Sequence, residues 1–335
     1  MKLRSVGISG LGSCLPDKIL SNTDLEKIVD TNDEWIVSRT GISERRIADA
    51  DTALSDICVV AAKRALEDAG VHAEELDLIL VATVTPDFVF PSTACILQEK
   101  LGAKKAAALD IEAGCSGFLY GLAVGSQFIA TGMYNKVLVI GGETLSKLLD
   151  MTDRGTCILF GDGAGAAVLS PVEDGNGFLS FVLGAQGQGG ENLCVPAGGS
   201  RNPASEETIK NRQHFIKMSG NEVFKFAVRI MGEAAVQSLE KAGLSTKDVD
   251  VLIPHQANIR IIDAAMKRLD LDRDKVVVNL DKYGNMSAAS IPVALDEAVK
   301  EGRIKNGDTL VMVGFGAGLT WGACTIKWAQ NKEER

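Results

Sequence analysis

The sequence predicts an α/β protein built from two copies of one folding unit, because three segments of its first half recur in order in the second. The matching pairs are 66–80 with 239–253, 136–142 with 308–314, and 165–168 with 322–325. Their offsets are 173 (239 − 66), 172 (308 − 136) and 157 (322 − 165) residues, a drift that loops of different length allow. We therefore expect a duplicated unit of roughly 150 residues, an ordinary domain size, with halves at 1–174 and 175–335.

Composition excludes several classes of protein. The 335 residues are 46% hydrophobic and carry a formal charge of −9, which argues against a general nucleic-acid or membrane-surface role. No run reaches the roughly 18 apolar residues of a membrane span, and Met1–Ser5 leads into a strand without a signal-peptide core. The seven cysteines are scattered without a Cys-x-x-Cys pair, so we expect a cytoplasmic protein with reduced cysteines and no metal site.

Apolar runs and capping residues define the elements of the first half. Strands are predicted at 6–11, 78–83, 106–109, 136–140 and 161–169, and the near-continuous apolar runs among them are typical of a buried sheet. The clusters Ser21–Asp24 and Thr31–Glu34 contain the residues that cap helix N-termini. Apolar residues at helical spacing over 53–69, followed by Gly70, predict a longer helix with a glycine C-cap.

The stretch Asp110–Phe118 places Cys115 where the strand 106–109, expected to be buried, turns into a helix. The cysteine then lies at or near the helix N-terminus, where free N–H groups and the dipole favour an anion. We therefore expect a lowered pKa for the Cys115 thiol. Gly114 and Gly117 allow a tight turn and a close approach of the backbone to a ligand. The other interpretation is a buried structural cysteine.

Of the three histidines, only His255 stands where chemistry is expected. His72 and His214 lie in polar segments and are expected at the surface. His255 follows the apolar strand 249–253 and precedes a helix, and ligands of α/β folds collect at the carboxyl ends of strands. A lone loop histidine is more often structural, but a nucleophile at the same level of the other half favours nucleophilic acyl chemistry.

The repeat adds Asn285 to this site. An offset of 170 residues (285 − 115) aligns Asn285 of the second half with Cys115 of the first half. Like Cys115, Asn285 precedes a pattern of apolar residues at helical spacing. If the halves pack about a pseudo-twofold axis, two helix N-termini converge and bring the two side chains together. Gly314–Gly318 is predicted to be a glycine-rich loop that supplies an N–H group to an oxyanion. It lacks the Gly-x-Gly-x-x-Gly pattern and the lysine expected of a phosphate loop.

Eight motifs together resemble those of the bacterial 3-oxoacyl-[acyl-carrier-protein] synthase III family, over residues 3 to 329. The motifs are Asp33–Gly41, Phe90–Thr93, Asp110–Phe118, Asp150–Arg154, Gly161–Gly163, His255–Asn258, Tyr283–Ser287 and Gly314–Trp321. The resemblance implies a thiolase-like α/β fold, with duplicated halves in a five-layered αβαβα arrangement, and a homodimer.

The resemblance also implies roles for individual residues. Cys115 resembles the acyl-accepting nucleophile, and its two partners are His255 and Asn285. The backbone N–H groups of Cys115 and Ala317 form the implied oxyanion hole. The implied coenzyme A contacts are Trp35 and Arg154 at the adenine, Arg39 near the phosphates and Asn258 along the pantetheine tunnel. The implied docking residues for acyl carrier protein are Lys225, Arg260, Lys267 and Arg268.

The implied reaction initiates type II fatty acid synthesis and needs no cofactor, because the acyl-CoA is a substrate. Cys115 accepts an acyl group, expected to be acetyl, and malonyl carrier protein then condenses with it, giving 3-oxoacyl carrier protein, CO2 and coenzyme A. Phe90 resembles a residue that reaches the partner subunit's acyl pocket. Gly114 and Ala317 depart from the family pattern, in which alanine and glycine respectively are common, and a small insertion around 192–211 bears on the shape of the acyl pocket.

Four other functions are alternatives to this one. A type III polyketide synthase shares the Cys–His–Asn set and a similar loop, but it extends CoA esters without a carrier protein. The His255–Asn258 motif and the basic docking residues favour the first interpretation. A thiolase needs a second catalytic cysteine, and a hydroxymethylglutaryl-CoA synthase needs an acidic general base in the site. A non-catalytic carrier-protein or lipid-binding homologue is disfavoured by the intact Cys115, His255 and Asn285.

Overall fold

The structure is a computed structural model and describes residues 3–330, so Met1 and Lys2 of the predicted N-terminal segment lie outside it. The strands are β1 (Val6–Cys14), β2 (Ile19–Ser21), β3 (Glu44–Arg46), β4 (Leu78–Ala82), β5 (Ala107–Ile111), β6 (Val137–Thr144), β7 (Asp162–Pro171), β8 (Gly177–Ala185), β9 (Leu193–Cys194), β10 (Lys217–Met218), β11 (Val251–Pro254), β12 (Thr309–Gly316) and β13 (Thr320–Lys327). The α-helices are α1 (Asn22–Leu25), α2 (Asp33–Thr40), α3 (Leu54–Ala69), α4 (Thr93–Leu101), α5 (Gly117–Ala130), α6 (Arg154–Cys157), α7 (Glu206–Lys210), α8 (Gly220–Lys241), α9 (Ile259–Leu269), α10 (Leu280–Tyr283) and α11 (Ser290–Lys300).

The first large sheet holds five strands in the order β1–β7–β6–β4–β5. β4 pairs in parallel with β5 and β6, whereas β7 pairs antiparallel with both β6 and β1. In the centre of the sheet Leu80 aligns with Val139 on one side and Leu109 on the other. Every residue of β4 and β6 is buried, as their apolar runs predict.

The second large sheet repeats the first. Its strands lie in the order β11–β12–β13–β8, with β12 parallel to β11, and with β13 antiparallel to both β12 and β8. Read from the other edge, β8–β13–β12–β11 has the same pairing pattern as β1–β7–β6–β4. The segments that match in sequence occupy matching strands, so the predicted duplication is confirmed.

The layers stack as the resemblance implies. Helices α3 and α4 cover the outer face of the first sheet, and α8 and α9 cover the outer face of the second. Helices α5 and α11 lie between the sheets. Leu119 of α5 and Ile291 of α11 join side chains of both sheets in one apolar cluster. The result is the αβαβα arrangement, whose central helices both begin at the predicted site.

The two halves match in a different register from the one predicted. A short 3₁₀ turn precedes each central helix, Gly114–Ser116 before α5 and Ser287–Ala289 before α11. Aligning these turns places Cys115 on Ala288, and Asn285 lies three residues earlier. The predicted offset of 170 is therefore wrong by three residues. The convergence that it predicted is present, because both side chains belong to the segment that enters a central helix.

Two predicted elements differ from the structure. The strand expected to be buried at 106–109 is β5, the last strand of its sheet, where the Leu109 side chain is 41% exposed. An edge strand has no neighbour on one side, and its apolar run alone does not reveal this. The glycine-rich segment expected to be a loop is mostly strand, because Gly314 and Gly316 pair with Gly322 and Thr320 of β13.

Candidate active site

Cys115 lies in the 3₁₀ turn that opens α5, and it is 93% buried there because the end of β12 passes directly over it. A Cβ atom on Gly316 would stand 2.3 Å from the backbone nitrogen of Cys115, and one on Gly114 would stand 2.6 Å from that of Ala317. Gly114 also has a φ of +53°, in the left-handed region. Glycine at these two positions therefore lets the two backbone segments cross in contact.

This crossing brings together the two N–H groups predicted to form the oxyanion hole. Ala317 follows the last residue of β12, and within residues 3–330 its N–H has no backbone acceptor. The hydroxyl of Thr320 contacts the hydroxyl of Ser116 at 2.8 Å, and both hydroxyls donate to the Ala113 carbonyl at 2.7 Å. These bonds fix the start of β13 against the cysteine turn and so hold the crossing in place.

The Cys115 thiol does not have the lowered pKa predicted from its position at a helix N-terminus. The pKa is raised to about 12, mainly by burial and to a smaller degree by the nearby Glu143 carboxyl. The polar groups of Ser287 and the cysteine's own N–H act in the opposite direction and lower the pKa by less than burial raises it. Desolvation outweighs the helix terminus because the thiolate loses the solvation of water in a closed apolar site. The resting cysteine is therefore a thiol.

His255 follows β11 directly, as predicted, and is fully buried. Its backbone N–H donates to the Val313 carbonyl at 2.8 Å, and its ring lies edge-on to Phe315, with centroids 5.5 Å apart. Neither ring nitrogen has a hydrogen-bond partner among the described residues. Burial lowers the pKa of the imidazole to about 3, so the ring is neutral at physiological pH and one nitrogen carries a proton.

Asn285 is held by its backbone and by its side-chain oxygen. Its N–H donates to the Leu159 carbonyl at 2.8 Å, and its carbonyl accepts from Gly161 at 3.0 Å. Its Oδ1 accepts the Ser287 N–H at 2.8 Å. Because the oxygen is occupied in this way, the orientation of the amide is fixed, and Nδ2 remains as a donor for a ligand.

The three side chains line one cavity. It has a volume of about 90 Å³ and is lined by Cys115, His255 and Asn285 together with Leu159, Phe160, Leu193, Met218, Gly220, Val223, Phe224, Ala257, Asn258, Ile261, Phe315 and Gly316. Sulfur, imidazole and carboxamide therefore face a common space, although they come from three distant parts of the chain. His72 and His214 are exposed, as predicted, and do not contribute to it.

Cys115 also lines a second cavity. Its volume is about 460 Å³, and its larger apolar lining side chains are Val84, Leu145, Leu148, Phe160, Leu193, Val195 and Ile216. Cys194 also lines it. Leu193, Cys194 and Val195 belong to the segment 192–211, which is predicted to be an insertion, and this segment forms part of the wall of the cavity.

The residues predicted to contact coenzyme A lie close together at the surface. The Arg154 guanidinium is 4.8 Å from the centroid of the Trp35 ring, and the Arg39 guanidinium is 5.4 Å from it. A flat base between Trp35 and Arg154 needs two contacts of about 3.5 Å, so it must part them by roughly 2 Å. Asn258 caps α9 by accepting the Arg260 N–H at 2.9 Å, and it donates to the Arg39 carbonyl at 3.0 Å.

The four basic residues predicted to dock a carrier protein are all exposed on α8 and α9. Arg260 lies over Phe224, a residue of the smaller cavity, with its guanidinium 4.9 Å from the ring centroid. Lys225 is the next residue on α8 and pairs with Glu222 at 2.8 Å. Lys267 and Arg268 lie in the last turn of α9. The basic residues thus extend outward from the rim of that cavity.

Phe90 does not line either cavity of its own protomer. It is 84% exposed, next to Val89 at 90% and Phe88 at 59%. Three consecutive apolar side chains at such exposure mark a contact surface rather than a solvated loop.

Sequence reasoning missed two buried residues next to Cys115. Ser287 lines the larger cavity together with Cys115, and its hydroxyl donates to Oε1 of Glu143 at 2.9 Å. Glu143 is fully buried in β6. The only signal for it in the sequence is an acidic residue directly after the apolar run and its two glycines, at the carboxyl end of a buried strand.

Two features of other classes of protein are missing from residues 3–330. No group of three or more His, Cys, Asp and Glu side chains in this range is placed to hold a metal ion. No helix in this range has the length and apolar character needed to cross a membrane.

Two similar α/β halves that meet over a buried cysteine define a thiolase-fold enzyme of the acyltransferase class. The family model "3-Oxoacyl-[acyl-carrier-protein (ACP)] synthase III" matches residues 109–187, and the model of its C-terminal part matches residues 239–328. The chain belongs to the 3-oxoacyl-[acyl-carrier-protein] synthase III family, and the resemblance drawn from its motifs is confirmed.

Individual relatives agree over nearly the full chain. A Desulfitobacterium hafniense protein named beta-ketoacyl-[acyl-carrier-protein] synthase III is 67% identical, covering 97% of this chain and 98% of the relative. A protein of the same name from Caldanaerobacter subterraneus is 62% identical, covering 97% and 98%. The crystal structure of 3-oxoacyl-[acyl-carrier-protein] synthase III from Aquifex aeolicus is 49% identical, covers 96% of this chain and 100% of that chain, and superposes with a TM-score of 0.89. These matches favour the condensing enzyme over the polyketide synthase, thiolase, hydroxymethylglutaryl-CoA synthase and non-catalytic alternatives.

Proposed function

We propose that the protein initiates type II fatty acid synthesis by condensing an acyl group, loaded from an acyl-CoA onto Cys115, with malonyl carrier protein. The observation that carries this proposal is the smaller cavity, where Cys115, His255 and Asn285 face the same space. A nucleophile and two neutral hydrogen-bond donors suit acyl transfer followed by stabilisation of an enolate. The halves 1–174 and 175–335 then act together, since one supplies the sulfur and the other supplies both donors.

In the first half-reaction the sulfur of Cys115 attacks the thioester carbonyl of the acyl-CoA. The N–H groups of Cys115 and Ala317 stabilise the tetrahedral oxyanion, and a donor of this kind is typically worth about 3 kcal/mol. Coenzyme A leaves, and the acyl chain stays on sulfur with its tail toward the larger cavity. Acetyl is the proposed acyl group.

In the second half-reaction the malonyl thioester enters from the side of His255 and Asn285. Both side chains donate to its carbonyl oxygen while CO2 departs, so the negative charge of the enolate is stabilised as it forms. The enolate carbon then attacks the acyl-cysteine, and 3-oxoacyl carrier protein and the free cysteine result. Neutral donors suit this step because they need not change protonation state. We propose that no cofactor takes part.

The test is intact-mass measurement after exposure to a panel of acyl-CoAs. We expect one acyl group per chain, located on Cys115 by peptide mapping, and 3-oxoacyl carrier protein once malonyl carrier protein is added. Product formed from malonyl-CoA as readily as from malonyl carrier protein would instead support the polyketide synthase alternative. No loading by any acyl-CoA would reject the proposal.

For coenzyme A, the proposed contacts are the stacked side chains at the surface. Trp35 and Arg154 part to hold the adenine, and Arg39 lies on the same ring, where its charge is available to the phosphates. Asn258 lines the smaller cavity while it ties α9 to α2, so it positions the pantetheine path as well as bordering it.

Acyl carrier protein is the proposed macromolecular partner, and it is expected to approach the basic residues of α8 and α9. We expect Lys267→Glu to lower kcat/KM for malonyl carrier protein by about tenfold at low salt, because a rim charge acts mainly on the association rate. The loss should shrink as ionic strength rises. Lys63→Glu on α3, in the opposite outer layer, is the matched control. Equal losses in both variants, or slower loading from acyl-CoA, would contradict this docking surface.

A homodimer is proposed from the free edge of the first sheet. β5 is the last strand there, with Leu109 exposed, and a second copy of that edge would continue the sheet. The apolar segment Phe88–Phe90 would be covered at the same interface. A cytoplasmic location and the lack of nucleic-acid or membrane partners complete the proposal.

We expect Phe90→Ala to shift acyl-CoA preference toward longer chains, because the side chain is proposed to close the partner subunit's acyl pocket. The readout is the mass-shift panel, with sedimentation velocity to confirm that the variant is still a dimer. Val89→Ala, also exposed, is the matched control. An unchanged preference in a dimeric Phe90→Ala variant would show that Phe90 does not line that pocket.

A further inference from the structure

Part of the wall of the larger cavity is a largely exposed segment, residues 195–216, which leaves the rest of the protein after β9 and returns at β10. β9 and β10 pair with each other where this wall segment begins and ends. Val195 and Ile216, its first and last residues, both line the cavity. Between them the wall segment contains one short helix, α7, so its position depends on its contacts with the rest of the chain.

Two hydrogen-bonded contacts join the wall segment to the other parts of residues 3–330. The Ile216 N–H donates to the Leu148 carbonyl at 2.9 Å. The Arg212 guanidinium binds the Asp150 carboxylate with two parallel bonds, from Nε to Oδ2 at 2.7 Å and from Nη2 to Oδ1 at 2.5 Å. Ile216 and Leu148 both line the cavity, so the ion pair lies next to the point where the wall segment closes it.

Asp150 is arranged to receive this arginine. Its side chain is buried, and Oδ1 also accepts from the N–H and hydroxyl of Thr152, at 2.9 and 2.6 Å. The bonds from Arg212 hold the pKa of the Asp150 carboxyl well below its usual range, so the pair is charged at neutral pH. A bidentate pair of this kind fixes direction as well as distance, which a single point charge does not do.

Arg212 occupies a backbone position at which glycine is the usual residue. α7 ends in a Schellman motif, in which the Arg212 N–H donates to the Ile209 carbonyl and the Gln213 N–H donates to the Thr208 carbonyl, both at 2.9 Å. Arg212 is the left-handed residue of this motif, with a φ of +54°. A Cβ atom makes that conformation unfavourable. The arginine therefore destabilises the turn, and its ion pair with Asp150 offsets this cost.

The other parts of the cavity lining are held more firmly than the wall segment. Phe160 forms a β-bridge with Asn285, and the Thr320 hydroxyl donates to the Ala113 carbonyl at 2.7 Å. An acyl chain that is longer than the cavity must displace some part of its lining. Moving the wall segment away breaks only the contacts of Ile216 and Arg212, so this is the part that yields first.

We propose that Arg212, through its ion pair with Asp150, sets the upper limit on the length of the acyl group that Cys115 carries. With the pair intact, the wall segment stays closed against Leu148. Without it, the wall segment is attached by the Ile216 N–H alone and gives way to a longer chain. Arg212 does not line the cavity and is a positioning residue. This inference rests on the proposed function, which places the acyl chain in the larger cavity.

The test is the rate of loading from acetyl-CoA through decanoyl-CoA, measured by intact mass in the unmodified chain and in Arg212→Gln. We expect the variant to raise the rate ratio of the longest acyl groups to acetyl roughly tenfold, a size of effect typical of apolar pockets. Acetyl itself should load at an unchanged rate, because it is too short to press on the wall segment. Lys210→Gln removes the same charge from an exposed position of the same segment and is the matched control.

Two further variants keep the proposal falsifiable whether or not Arg212→Gln folds. Arg212→Gly suits the left-handed position, so it should preserve the turn and still raise the ratio. Asp150→Asn should raise it from the other side of the pair, and combining it with Arg212→Gln should add little. Hydrogen exchange over 195–216 should become faster in each variant and stay unchanged in α5.

Three results would overturn the proposal: equal slowing for every acyl-CoA, an unchanged length preference despite faster exchange over 195–216, or the same shift in Lys210→Gln. Alkyl methanethiosulfonates of the same chain lengths, located on Cys115 by peptide mapping, probe the cavity without coenzyme A. Their reaction should show the same gain for long chains in Arg212→Gln. Failure of every acyl-CoA to load would reject the proposed function, whereas an unchanged length dependence of the alkyl reagents would reject the role of Arg212.

Discussion

Cys115→Ser is expected to abolish acyl transfer, with a loss on the order of 10⁴-fold or more. The site already holds the thiol at a pKa of about 12 through burial, so ionisation of a group there is costly even for sulfur. A hydroxyl is a much weaker acid than a thiol, and the same burial would raise its pKa further. The serine would therefore remain a neutral alcohol, which is a poor nucleophile toward a thioester.

The measurement is intact mass after incubation with acetyl-CoA, which should increase for the unmodified chain and stay constant for Cys115→Ser. Cys194→Ser is the matched control, because Cys194 lines the larger cavity next to Cys115. It should load normally. Acylation of Cys115→Ser at a comparable rate, or loss of loading in Cys194→Ser alone, would assign the nucleophile to another residue. Melting temperatures of both variants check that the fold is intact.

The fold could be predicted from the sequence because a duplicated unit leaves its pattern in chain order. The order of helix, glycine and strand is a local property, and it recurs at 66–80 and 239–253. Exact correspondence between the halves could not be predicted, because loop lengths shift it by a few residues. The predicted offset aligns Asn285 with Cys115. The 3₁₀ turns that precede α5 and α11 instead align Ala288 with Cys115.

Cys115 and His255 were proposed as site residues because each follows a strand and precedes a helix, whereas Asn285, which lies between α10 and the turn into α11, was reached through the repeat. The pKa values of these side chains could not be predicted from the sequence. A helix N-terminus predicts a lowered thiol pKa, and the prediction was wrong because the depth of burial depends on β12, which lies some 200 residues further along the chain. The same limit hid Glu143 and Ser287, which are far apart in sequence and meet only when the two sheets pack around α5 and α11.

The exposure of an edge strand is also difficult to predict from the sequence. The apolar run before Cys115 predicts burial, yet Leu109 is 41% exposed on the free side of the first sheet. Residues 3–330 leave this side chain partly uncovered, and this exposure is one reason for proposing a dimer. An apolar run alone therefore does not distinguish a strand in the core from a strand at an exposed edge.

The division of labour at the site predicts that Asn285→Ala and His255→Ala keep self-acylation but lose malonyl decarboxylation. Each side chain is proposed to donate to the enolate oxygen, and loss of one such donor costs about 3 kcal/mol, or roughly 10²- to 10³-fold. Asn285→Asp is the matched variant, since it preserves the oxygen that accepts the Ser287 N–H and removes the Nδ2 donor. Its decarboxylation loss should resemble that of Asn285→Ala.

Release of CO2 from malonyl carrier protein and the mass shift from acetyl-CoA measure the two steps separately. Because burial lowers the pKa of His255 to about 3, the imidazole stays neutral above pH 5, and decarboxylation should show no inflection near 6.5, where an exposed histidine titrates. Loss of only the acylation step in both alanine variants would reverse the assignment. An inflection near 6.5 that disappears in His255→Ala would mean that the histidine acts as a titrating acid. The pH profile thus separates a fixed donor from an acid–base catalyst at the same position, which geometry alone does not do.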